Sequence, residues 1–163
     1  MKWVISLALT VLIFFSFGSC NKKVFYSDAI GCAELSDCVL NGFWEKKDYS
    51  TADSLFLNDY FIMPEYVTDS VIRFASDSNN INEIGIFHTT EGKSKEFAGM
   101  IKAYLLNSYE RNQAWYDSYI PAETPKLRDA EVRIYGNYVV YAILSKESKG
   151  TVFSVAEKTI KKY

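Results

Sequence analysis

The pair Gly136-Asn137 lies between two runs rich in β-branched and aromatic residues, 132–135 and 138–144, and it constrains the fold more than any other feature of the chain. A two-residue loop of Gly and Asn tolerates the positive φ that tight hairpins demand and leaves its flanking strands a single register. Tyr135 then faces Tyr138, Ile134 faces Val139 and Val132 faces Tyr141, so that Val132, Ile134, Val139, Tyr141 and Ile143 share one apolar face. Any architecture must be built outward from this antiparallel pair.

Residues 68–75 alternate Ile72 and Phe74 about Arg73, and residues 83–89 alternate again, with Ile84 and Ile86 on one side and Glu83 and Phe87 on the other. The polar run Ser76-Asp77-Ser78-Asn79-Asn80 separates them, which suits antiparallel pairing. Residues 93–119 carry Phe97, Ile101, Tyr104, Leu105, Ser108, Asn112, Trp115 and Tyr119 in a stripe at helical spacing, about seven turns long. Ile120-Pro121 ends it, because the residue before a Pro is driven out of the helical region. Residues 148–161 finish the chain as a helix carrying Val152, Val155, Ala156 and Ile160. Upstream, residues 27–40 space Cys32, Leu35 and Val39 for one helical face, and residues 51–60 read as a second short helix, capped by Ser50 and barred by Pro64 from continuing. The expected fold class is α+β: a four-stranded antiparallel sheet in the order ββαββα with helices on one face, preceded by two short N-terminal helices. Its expected core is Ile84, Ile86, Phe97, Ile101, Leu105, Val132, Ile134, Val139 and Ile143.

Ahead of this domain, residues 1–19 hold one Lys, an apolar run broken only by Ser6, Thr10 and Ser16, and the small pair Gly18-Ser19. That is the pattern of an export signal, with a core shorter than the roughly 20 apolar residues of a membrane span. Phe17-Gly18-Ser19-Cys20 resembles the lipobox of bacterial lipoproteins, whose Cys receives a diacylglycerol and becomes the first mature residue; Phe17 stands where Leu is usual. The competing reading is an uncleaved anchor helix followed by Lys22 and Lys23. Both readings tether the same domain, and only the lipoprotein explains a Cys after Gly-Ser. The expected division is a signal at 1–19, a lipidated tether at 20–26 and a single domain at 27–163.

Without residues 1–19 the chain keeps 144 residues, 17 basic and 20 acidic, enough to bury a full core without a metal or a disulfide framework. No run of Lys and Arg exceeds two, which argues against a nucleic-acid partner. One His and three Cys, at 20, 32 and 38, do not assemble a His-rich or Cys-rich metal site, and no cofactor is expected. Gly85, Gly92 and Gly99 are too dispersed for a phosphate loop. His88 falls at the end of a strand on the face of Ile84 and Ile86, with no Gly-x-Ser-x-Gly elbow to mark a nucleophile for it. Cys32 and Cys38, six apart, cannot bond on a regular helix and are read as two free packed thiols. Aromatics are the surplus: 26 in the chain and 22 beyond the signal. Trp115, Tyr116, Tyr119 and Tyr138, near the helix end and the hairpin, form the candidate contact surface for a glycan or peptide, set against plain core packing.

Asn82-Glu83-Ile84-Gly85-Ile86-Phe87, the helix start Glu91-Gly92-Lys93, the helix end Tyr119-Ile120-Pro121 and Tyr135-Gly136-Asn137-Tyr138-Val139 together resemble the bacterial lipoprotein family called domain of unknown function 4358, over roughly residues 27–161. The resemblance implies a Gram-positive surface lipoprotein with no established activity. The expected protein is thus a lipid-anchored binding or structural module on the extracytoplasmic face of the cell membrane, meeting an envelope protein or glycan; the alternative is a small secreted hydrolase. As a binding module it needs no catalytic residue, so His88→Ala should be silent while Trp115→Ala and Tyr138→Ala weaken capture of a partner. Cys20 is expected to carry the lipid, with palmitate among its acyl chains, and mass spectrometry of the native N-terminal peptide decides this: a peptide that starts before Cys20, or that bears no lipid, sinks it.

Overall fold

All six residues of the strand Tyr138–Ile143 are buried, so neither side of it faces water. An unbroken apolar strand of this kind needs cover on both faces, and the fold is arranged to give it. The computed structural model describes residues 24–41, 48–52 and 62–162. Its elements run α1 (Cys32–Leu40), β1 (Tyr49–Thr51), β2 (Val67–Ala75), β3 (Glu83–Thr89), α2 (Ser94–Tyr119), α3 (Thr124–Arg128), β4 (Glu131–Tyr135), β5 (Tyr138–Ile143) and α4 (Lys146–Lys162). The strands form one five-stranded sheet in the order β1-β2-β3-β5-β4, with every neighbouring pair antiparallel.

The α+β class and the single antiparallel sheet hold, but the four-stranded ββαββα arrangement with helices on one face needs two corrections. Helices cover both faces. On one, Ile84, Ile86, Val140 and Ala142 pack against Leu35 and Val39 of α1 and Val152, Phe153 and Ile160 of α4. On the other, Ile72, Phe87, Val139 and Tyr141 pack against Phe97, Ile101 and Leu105 of α2. The expected core therefore divides into two layers, Ile84 and Ile86 in one and Phe97, Ile101, Leu105, Val139 and Ile143 in the other. The second correction is a fifth strand. Thr51, expected to open a helix, ends β1, which pairs with β2 as Tyr49↔Ala75 and Thr51↔Arg73, and Ala52 follows it outside any helix; positions 53–60 of that expected helix lie outside the described residues. Three residues are too few to show a period. The strand is fixed by Arg73, which donates to Thr51 Oγ1, to Ser36 Oγ (3.1 Å) and to Asp37 Oδ1 (3.0 Å), joining β1 and α1 to β2.

The hairpin register is as expected, with Tyr135↔Tyr138, Ile134↔Val139 and Val132↔Tyr141. Gly136 takes φ 61° and Asn137 does not take positive φ, the arrangement of a II′ loop. A Cβ on Gly136 would also lie 2.8 Å from Tyr26 Cβ, so the N-terminal segment lies directly on the turn. Ile134, however, is 37% exposed on the edge strand, and Val132 is only partly buried. Correct register put both on the right face, but a side chain on an edge strand has a neighbour on one flank only.

Gly85 pairs with Tyr141, and a Cβ there would lie 2.0 Å from the Tyr141 ring. The missing side chain is what lets that ring lie flat across β3, where it stacks on Phe87 at 6.1 Å. Gly85→Ala should cost about 1–3 kcal/mol through overpacking, whereas Ile134→Ala should cost less than about 1 kcal/mol; urea unfolding of the two variants measures the order.

Candidate functional site

Helix α2 spans 26 residues, about 39 Å, yet its last buried residue is Leu105. Its second half keeps contact with the core only through half-buried side chains such as Tyr109 and Tyr116. Tyr104, Ser108, Asn112 and Tyr116 recur every four residues and line one wall of a cleft of about 530 Å³. The facing wall is the β2–β3 turn, and the floor holds Glu83 and Ile143, which pair at the same end of the sheet. The turn is well braced. Asp77 Oδ1 accepts from Asn79 N–H (2.9 Å) and Asn80 Oδ1 from Asn82 N–H (3.0 Å). Beneath them Glu123 accepts from Ile81 N–H (3.0 Å), and Lys126 donates to Asn82 Oδ1 (2.9 Å), so α3 holds the rim in place. Polar amides and hydroxyls thus converge beside aromatic rings, the mixture a polar, ring-shaped ligand requires.

Three of the four aromatics expected at a contact surface come together here. Trp115 is 52% exposed and Tyr119 70%, and their ring centroids lie 5.1 Å apart at 30°. Tyr116 meets Trp115 edge-on at 5.3 Å and carries the group into the cleft. Tyr138 does not belong. It is fully buried on the opposite face of the sheet, donating to Ile30 O at 2.5 Å, and burial pushes its phenol up to about 12. Neighbouring positions in sequence on either side of a strand point to opposite faces, and proximity to the hairpin misleads for that reason. Cys20 lies outside the described residues.

At the floor, the Tyr141 hydroxyl donates to Glu83 Oε1. Burial pushes the Glu83 carboxyl above the ordinary carboxylate range, against the pull of that hydrogen bond, and burial with the Glu83 charge drives the Tyr141 phenol far upward. Tyr141 is therefore a fixed donor, and half-buried Glu83 turns its carboxyl toward the cleft. Only the four-residue period of 104, 108, 112 and 116 hinted at the cleft. Glu83 carried no signal of its own.

A second constellation went unseen in the sequence. The β2–β3 register shifts between Val67 and Asp69, leaving Thr68 on a bulge, and its Oγ1 sits 2.8 Å from His88 Nδ1. His88 Nε2 lies 3.1 Å from Asp28 Oδ1, and Asn137 Nδ2 donates to Asp28 Oδ2 at 2.9 Å. Thr68 Oγ1 is also 3.3 Å from the His88 carbonyl oxygen. These partners come from 20 and 60 residues away, which no local motif reports. Cys32 and Cys38 are free thiols, and burial, with Asp69 beside it, raises the Cys32 thiol well above its usual value. Among the described residues no three His, Cys, Asp or Glu side chains group to hold a metal ion, and no helix is long and apolar enough to cross a membrane.

The family model for a domain of unknown function, DUF4358, matches residues 44–144. The chain belongs to the DUF4358 family. The match is narrower than the 27–161 anticipated: it holds the whole sheet, α2 and α3, and therefore the cleft, Thr68 and His88, while α1, α4 and Asp28 fall outside it. No curated protein and no solved structure matches the chain.

Because the folded protein holds a proton on Glu83 more tightly than the unfolded chain does, the stability this contributes is present at acid pH and is lost as pH rises through the raised value. Glu83→Gln, whose amide oxygen still accepts from Tyr141, should raise the thermal midpoint at about pH 7.5. The gain should shrink toward about pH 4, and melting curves at the two pH values test it.

Proposed function

We propose that this DUF4358 protein is a lipid-anchored module on the extracytoplasmic face of a Gram-positive cell membrane, tethered through Cys20, that captures an envelope glycan in the cleft at the end of α2. The observation that carries the reading is the exposed aromatic end of α2. Past Leu105 the helix buries no further residue, and it exposes Trp115 and Tyr119 next to Tyr116, which lines the cleft with Asn112, Ser108 and Glu83; so much apolar area left to solvent suits a contact surface. Stacking on sugar rings uses the aromatic faces, and the amides and the carboxylate take hydroxyl groups. Tethering supports capture without tight affinity, since an anchored protein meets the envelope at high local concentration. The work is contact, and no catalytic residue is assigned.

A second reading rests on Asp28, His88 and Thr68, whose carboxylate, imidazole and hydroxyl follow in the order of a hydrolase relay. It assigns the protein to small secreted hydrolases, and loss of ester or peptide turnover in both His88→Ala and Thr68→Val would favour it over capture.

For the favoured reading, full-length protein in detergent should bind solubilised cell-wall glycan. Trp115→Ala and Tyr119→Ala should each weaken binding about tenfold or more with an unchanged melting midpoint, as truncation of an aromatic anchor does. Equal binding by wild type and both variants rejects the cleft.

A further inference from the structure

The cleft beside α2 has a charge of one sign. Among the described residues that line it are two carboxylic acids, Asp77 on the β2–β3 turn and Glu83 on the floor, and no Lys, Arg or His. Lys126 reaches the rim, where its Nζ donates to Asn82 Oδ1 (2.9 Å), but Glu123 holds the same ammonium at 2.8 Å. Asp77 sits at the exposed edge with one oxygen taken by Asn79 N–H (2.9 Å). Glu83 stands deeper. Its Oε1 accepts from the Tyr141 hydroxyl, and no cation among the described residues pairs with the carboxylate.

A half-buried carboxylate whose one protein partner is a neutral hydroxyl is poorly compensated, and burial raises its carboxyl accordingly. An amide at this position would accept from Tyr141 equally well. It would also accept from a sugar hydroxyl, so hydroxyl recognition alone leaves the charge of Glu83 without a use. A protonated amine does use it. An ammonium donating to a carboxylate makes a hydrogen bond roughly twice as strong as a neutral one, and the faces of aromatic rings such as Tyr104 and Tyr116 in the same wall attract a cation as well. A phosphate or carboxylate on the ligand would instead meet like charge, with no lining cation to offset it.

We infer that the cleft selects a glycan carrying an unsubstituted amino sugar, whose ammonium donates to Glu83 on the floor while neighbouring rings of the chain lie on Trp115 and Tyr119. The inference rests on the capture reading and adds the chemical class of the ligand to it. Glu83 becomes the specificity-determining residue, and the aromatic rings supply contact that any sugar could use.

Three β-1,4-linked tetrasaccharides, of glucosamine, N-acetylglucosamine and glucose, differ only in the group on carbon 2. Each is titrated calorimetrically into full-length protein in nonionic detergent, at about pH 6.5, where an ordinary amine keeps its proton, and about 0.15 M salt. The glucosamine tetramer should bind about tenfold or more tightly than either of the others. Glu83→Gln, which keeps the acceptor for Tyr141, should bring that ratio to about one, whereas Trp115→Ala should weaken all three and keep the ratio. Wild type binding the glucosamine tetramer no better than its acetylated counterpart overturns the inference, and so does a preference that survives Glu83→Gln. The peptide Gly-Lys-Gly is the remaining probe: binding tighter than that of the glucosamine tetramer overturns the sugar assignment in favour of a peptide amine. Should no tetramer bind at about 10 mM, a thousandfold weaker than a site of about 10 μM, the inference falls, and binding of solubilised cell-wall glycan by the same preparation then shows whether capture itself survives.

Discussion

The burial of β5 on both faces is the constraint from which the remaining architecture follows. A central strand reading Tyr-Val-Val-Tyr-Ala-Ile has no polar side to give to water, so helices must close over it from two directions. The chain meets this by dividing its helices by position in sequence. The central helix α2 takes one face, and the terminal helices α1 and α4 take the other, where they also pack on each other. Tyr141 fills the α2 side by lying over Gly85, and its hydroxyl end reaches Glu83 at the edge of the cleft. Core and cleft thus share a side chain.

Much of this was written locally. The II′ loop at Gly136 fixed the pairing of β4 with β5, and the stripe from Phe97 to Leu105 and the stop at Pro121 bounded α2, because turns and helix ends are decided within a few residues. Two-sided cover was also present, in the lack of any polar residue between Tyr138 and Leu144, but alternation in β3 and β4 drew the reading toward a one-faced sheet. What stayed hidden was long-range. Glu83 meets Tyr141 across 58 residues and His88 meets Asp28 across 60, and neither pairing leaves a mark on the sequence nearby. The aromatic surface was half legible: helical spacing linked Trp115, Tyr116 and Tyr119, while Tyr138 belonged to the face that parity, not distance, assigns.

The cleft joins two demands that oppose each other. Glu83 is held where its charge is poorly solvated, which costs stability at neutral pH, and its acceptor is strong for the same reason. If the proposed capture holds, a carboxyl in such a place is the trade expected of a residue kept for contact.

Tyr26 and Asp28 dock the N-terminal segment at the hairpin, through Gly136, Asn137 and His88, and Val24 lies only four residues after Cys20. Glu83 and Ile143 stand at the other extremity of β3 and β5, about 20 Å away along seven-residue β3. The molecule therefore has a polarity. Held by Cys20 as proposed, with a leash of about 14 Å at most, it would rest hairpin-down against the bilayer and hold its cleft outward, at the pole that faces the wall.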